Sequence, residues 1–70
     1  MGDRILKLQE VIDRTTLSSS SIYLHMSRGN FPQQIKLSLR AVGWAESEIN
    51  AWMDARKSER DAGKETTWQI

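Results

Sequence analysis

Two helical segments stand only about three residues apart in this chain, and that spacing constrains its fold more than any other feature. The first segment reads from about Leu8 to Thr15. Leu8, Val11, Ile12 and Thr15 fall at i, i+3, i+4 and i+7, one face of a helix. Leu6 and Val11 occupy the N′ and N4 places of a hydrophobic staple, and Glu10 sits at N3, where a carboxylate favours the orphan amides. Lys7 is then the N-cap, a poor residue for it. Leu17 and Ile22 repeat the staple spacing around a second start. Here Ser18 is a good N-cap, and Ser19–Ser21 form the first turn at a cost of a few tenths of a kcal/mol each. Ile22 and Met26 continue the inward face. Gly29 supplies a C′ residue able to take positive φ, and Pro32 holds Phe31 extended. The second helix therefore spans Ser18 or Ser19 to Arg28. A join this short is the turn of a helix-turn-helix.

The next segment changes period. Ile35 and Leu37 alternate with Lys36, and Val42 and Trp44 alternate with Gly43, on either side of a Ser38–Ala41 connection. Period-2 patterning of this kind predicts a small β-hairpin. A third helix follows from about Glu46 to Arg60, with Ile49, Trp52, Met53 and Arg56 at helical spacing. Glu46 and Glu48 suit the positive end of its dipole, and Trp44 with Ile49 forms a third staple pair. Gly63 marks its far limit, and residues 61–70, with Trp68 and Ile70, read as a flexible tail. The expected core is Leu6, Leu8, Val11, Ile12, Leu17, Ile22, Met26, Phe31, Ile35, Leu37, Val42, Trp44, Ile49, Trp52 and Met53. The fold class is mainly α with a small β-hairpin: a winged helix-turn-helix over residues 1–60.

Several functions fail for want of chemistry. The 70 residues include no cysteine and one histidine, His25. That leaves no disulfide, no thiolate metal site and no thiol nucleophile. His25 adjoins the Ile22/Met26 face and reads as a packed residue. Glu46 and Glu48 are two apart on a helix and do not face each other. There is no Gly-rich phosphate loop. No enzyme activity, metal or cofactor is expected. No apolar run reaches the roughly 20 residues of a membrane span, and MGDRILKL lacks a signal-peptide stretch. A cytoplasmic location away from membranes is the corresponding expectation.

Charge is nearly balanced overall, at net +1, but unevenly placed. The first 40 residues hold Arg4, Lys7, Arg14, Arg28, Lys36 and Arg40 against Asp3, Glu10 and Asp13. With Ile22 and Met26 inward, Ser20, Tyr23, Leu24 and Ser27 face outward. A helix of this size fits the major groove of duplex DNA, with its N-terminal amides near phosphate. The expected DNA-contact set is Ser19, Ser20, Tyr23, Ser27 and Arg28 on the second helix, with Lys36 and Arg40 on the hairpin. Ser18 is read as a cap, and Trp44 and Trp52 as packing residues.

The runs RILKLQEVIDRTTLSSSSIY, RGNFPQQIKL and RAVGWAESEINAW resemble the AlpA family of prophage regulators, grouped with MerR-like and excisionase-type winged helices. The resemblance covers about residues 4–57. It implies Ser18–Arg28 as recognition helix, Ile35–Trp44 as wing, and regulation of transcription or excision on prophage DNA. It also supports Ser20, Tyr23 and Arg40 as contacts. Family members usually carry glycine where Thr16 stands, and often arginine in place of Ser19 and Leu24. Losing two cations from the recognition helix implies a weaker binder, or one that relies on a neighbouring copy. Two other readings fit the same residues: an excisionase-type architectural factor, and an interaction module that docks on another regulator protein.

Overall fold

Leu6 and Val11, the first staple pair, are both fully buried and set the start of the first helix. The computed structural model describes residues 3–62. The elements run β1 (Ile5–Leu6), α1 (Leu8–Thr15), α2 (Ser19–Ser27), β2 (Ile35–Lys36), β3 (Val42–Ala45) and α3 (Glu46–Ala62). The Lys7 N–H donates to Glu10 Oε1 at 2.9 Å, and the same carboxylate holds Arg4 at 3.0 Å. Lys7 has no acceptor to return, so only the Glu10 half of a capping box operates.

Thr16 closes α1 in the left-handed region, at φ 62° and ψ 14°, with its N–H donating to Ile12 O at 2.7 Å. A β-branched residue there carries about 1–2 kcal/mol of strain that glycine would not. Thr15 offsets part of it. Its hydroxyl donates to Val11 O at 2.8 Å and accepts the Leu17 N–H at 3.3 Å. Ser18 then caps α2, its Oγ accepting the Ser21 N–H at 3.2 Å.

Arg28 is the C-cap of α2 rather than part of it. Gly29, at φ 77°, donates to Met26 O, and Asn30 donates to His25 O, each at 3.0 Å. These are the two bonds of a Schellman motif. The loop beyond is fixed by indoles. The Nε1–H of Trp52 donates to Asn30 O at 2.8 Å, and that of Trp44 to Pro32 O at 3.1 Å. Phe31 lies between them, buried, its ring edge-on to Trp52 at 4.8 Å.

The sheet has three strands in the order β1-β3-β2, both pairings antiparallel. The hairpin is present as expected; β1 is an addition to it. Leu6 pairs with Trp44 and Lys36 with Val42. Paired residues share a face, and Val42 and Trp44 are two apart, so these four lie on the side toward the helices. Ile5, Ile35, Gly43 and Ala45 lie on the other. This register corrects the expected core. Ile35 and Leu37 are 38% and 51% exposed, because Ile35 in β2 and Leu37 just beyond it lie on the Gly43 side, away from Val42 and Trp44. Gly43 sits where β1 comes closest. A Cβ there would collide with Ile5 Cγ2 and press on the Leu6 carbonyl oxygen at 3.0 Å.

Leu6, Val11, Ile22, Phe31, Trp44 and Ile49 form the core, with Leu8, Ile12, Leu17, Met26, Val42, Trp52 and Met53 packed around it. Each fully buried large side chain contributes about 1.5–3 kcal/mol relative to exposure. α3 leaves β3 without a loop, and its first turn is capped from the far end of the chain. The Ser47 N–H and Oγ–H donate to Asp3 Oδ1 and Oδ2 at 3.1 and 2.6 Å, and the Glu46 N–H donates to Arg4 O at 2.8 Å. The Ser47 hydroxyl bond, then its backbone bond, hold the Asp3 carboxyl below its ordinary value. α3 continues through Asp61 and Ala62, two residues past its expected end and into the segment read as tail. The rest of that tail, Gly63–Ile70 with Trp68, lies outside the described residues.

Candidate nucleic-acid interface

All seven residues expected to contact DNA are exposed. Ser19 and Ser20 open the first turn of α2, beyond the cap made by Ser18. Ser27 is partly committed: its hydroxyl donates to Leu24 O at 2.7 Å, leaving only acceptor capacity. Tyr23 is 43% exposed, and its ring meets the Trp44 indole edge-on at a centroid distance of 6.4 Å. It therefore sits at the seam between α2 and the sheet. Lys36 is on the same sheet face as Trp44, beside Val42, so the seam runs from Tyr23 toward the wing. Arg40 stands in the turn between β2 and β3, which is held by Leu37 and Ser38 N–H groups donating to Ala41 O at 2.8 and 3.2 Å.

Ion pairing separates the cations into two groups. Arg4 pairs with Glu10 at 3.0 Å and Arg14 with Glu46 at 2.9 Å. On α3, Arg56 pairs with Glu59, Lys57 with Asp54 at 3.5 Å, and Arg60 with Asp61 at 2.9 Å. Among the described residues, Lys7, Arg28, Lys36 and Arg40 have no carboxylate within ion-pair distance. Three of these four were singled out from sequence. Lys7 was not, because it reads there only as a poor cap.

Two exposed apolar residues border the same region. Leu24, on α2, is about half exposed, as its helical position requires. Leu39, in the wing turn, is 91% exposed. Its one sequence signal is a leucine inside a connection. His25 is partly buried, as expected, with Nδ1 sealed from solvent and no hydrogen-bond partner among the described residues. No helix among the described residues is long and apolar enough to cross a membrane.

The arrangement is a helix-turn-helix whose second helix meets a small wing along a seam carrying hydroxyls, one tyrosine and unpaired cations. The family model for the prophage CP4-57 regulatory protein (AlpA) matches residues 4–57. The DNA-binding transcriptional activator AlpA of Escherichia coli K12 is 34% identical over 59 residues, covering 76% of this chain and 84% of its own length. An uncharacterised protein of Enterobacteria phage P4, ORF88, is 39% identical over 61 residues, covering 87% of this chain and 69% of its own. With most of its described length matched by that model, the chain belongs to the AlpA family of prophage regulatory proteins.

Proposed function

We propose that this chain binds duplex DNA sequence-specifically and regulates prophage transcription, with α2 in the major groove and the wing at its flank. The observation that carries the reading is the placement of its unpaired cations. Arg28 ends α2, while Lys36 and Arg40 stand on the wing. Cations already matched to carboxylates gain little from phosphate, whereas unmatched ones release counterions when they meet it. The E. coli relative described as a DNA-binding transcriptional activator supports the same reading.

Roles divide by position. Ser19, Ser20 and Tyr23 present hydroxyls to base edges or phosphate at the start and middle of α2. Arg28, Lys36 and Arg40 supply the electrostatic grip. Ser27 acts as an acceptor only. With serine and leucine at positions 19 and 24, α2 has no lysine or arginine of its own, so affinity depends more on the wing, on Arg28 and on partners.

The test is a titration of the double variant Tyr23→Ala/Arg40→Ala against a site selected from random duplexes. Both side chains are exposed, and the lost Tyr23–Trp44 contact is expected to cost only about 0.5–1.5 kcal/mol, checked by thermal unfolding. Affinity at fixed salt is expected to fall by about tenfold or more, as for loss of one base contact and one phosphate contact. Unchanged affinity would sink the docking geometry. Failure of the wild-type chain to bind any duplex at low salt would favour docking on a regulator protein instead.

A further inference from the structure

Leu39 has no role in the fold. It is the most exposed large apolar side chain among the described residues, well beyond Leu37 or Leu24. Its position is nonetheless defined, because the turn that carries it is closed by the Leu37 and Ser38 hydrogen bonds to Ala41 O. Its neighbours are chemically one-sided. From Ile35 to Val42 the sequence reads IKLSLRAV, with Lys36 and Arg40 and no carboxylate. Neither cation has an ion-pair partner among the described residues. The wing thus ends in an apolar tip between two available positive charges.

That combination matches one kind of surface well. The minor groove of duplex DNA is about 6 Å wide and edged on both sides by phosphates. Proteins that enter it frequently insert apolar wedges between base steps, which unstack them partly and bend the duplex. We propose that Leu39 is such a wedge: it enters the minor groove beside the α2 site, with Lys36 and Arg40 on the flanking phosphates, and bends the DNA. The proposal rests on the DNA-binding reading above and adds a deformation to it. It also assigns a sequence preference at a place no polar side chain reads. Pyrimidine–purine steps such as TA and CA unstack most easily, so the wing position favours them.

The experiment uses the full chain and a short duplex recovered by selection from random sequences, labelled at both ends for energy transfer. Wild type, Leu39→Ala, Leu39→Ile and Tyr23→Ala are compared for affinity and for bend, with thermal unfolding as a control. Wild type is expected to bend the duplex by about 20–90°. Leu39→Ala is expected to unfold at the wild-type temperature, keep its affinity within about tenfold, and lose about half the bend or more, together with the TA/CA preference. Leu39→Ile restores both. Tyr23→Ala weakens binding but leaves the bend of the complex that still forms. A wild-type bend retained by Leu39→Ala overturns the wedge while leaving DNA binding intact. Absence of binding by wild type overturns the DNA-binding reading and the wedge with it.

Discussion

The scaffold side of the molecule and the α2–wing side carry similar residue types and use them in opposite ways. Around β1 and the start of α3, most charged groups are matched internally, the Lys7 ammonium excepted: Glu10 holds Lys7 N–H and Arg4, Asp3 caps Ser47, and Arg14 reaches Glu46. Around α2 and the wing, Arg28, Lys36 and Arg40 have no carboxylate partner among the described residues, and Leu24 and Leu39 are exposed. The difference teaches where each side's energy is spent. On the scaffold side, charge fixes the geometry of a thin core; on the other, it stays available, as the proposed DNA contact requires.

The largest test of that contrast is a pair of double variants. Lys36→Gln/Arg40→Gln is expected to reduce the slope of log affinity against log salt by about 1.8, two phosphate contacts' worth. Lys57→Gln/Arg60→Gln, on α3, is expected to leave the slope unchanged. Unfolding free energies of both should stay within about 0.5 kcal/mol of wild type, because all four side chains are surface groups. Equal slope changes in the two variants would erase the distinction between the regions.

Thr16 lies at the boundary between them. Thr16→Gly relieves a left-handed β-branched residue and is expected to stabilise the fold by about 1 kcal/mol, raising Tm by roughly 4–8 °C. If affinity stays constant, the strain belongs to the scaffold alone. A higher Tm with weaker binding would assign the turn to the binding side, as the element that aims α2.

The smallest expected effect concerns Asp3. Its folded-state carboxyl titrates below the ordinary 3.8. Ionised Asp3 therefore adds stability above that value, and the gain is lost as pH falls through it toward the folded-state value. Asp3→Asn should accordingly be less stable than wild type near neutrality, with the gap closing below about pH 4. Denaturant midpoints measured across that range decide it, and a gap that persists in acid would show that the carboxylate's charge is not what caps α3.

The three helices were legible because their signals are local. The staples Leu6–Val11, Leu17–Ile22 and Trp44–Ile49 and the Ser18 cap all lie within a few residues of the ends they define. The wing was legible as a hairpin but not in its facing. Alternation shows that Ile35 and Leu37 share a face, not that this face is opposite Val42 and Trp44; only the pairing of Lys36 with Val42 decides that. β1 was not legible, since two residues give no period and its partner, Ala45, is forty positions away from Ile5. The exposure of Ser20, Tyr23 and Ser27 could be read from helical phase. Their lack of ion-pair partners could not, because pairs such as Arg14–Glu46 depend on tertiary approach.

The Tyr23–Trp44 contact joins the two regions in one aromatic pair, with one ring in the core and the other half in solvent. Such a pair is worth about 0.5–1.5 kcal/mol beyond the area it buries. Any non-aromatic replacement at position 23 also removes the ring that meets Trp44, whereas Tyr23→Phe removes only the hydroxyl. In a chain this short, new binding specificity at that position carries a stability cost, so its recognition surface can diversify more cheaply at Ser19, Ser20 and Arg40, where nothing beneath depends on the side chain.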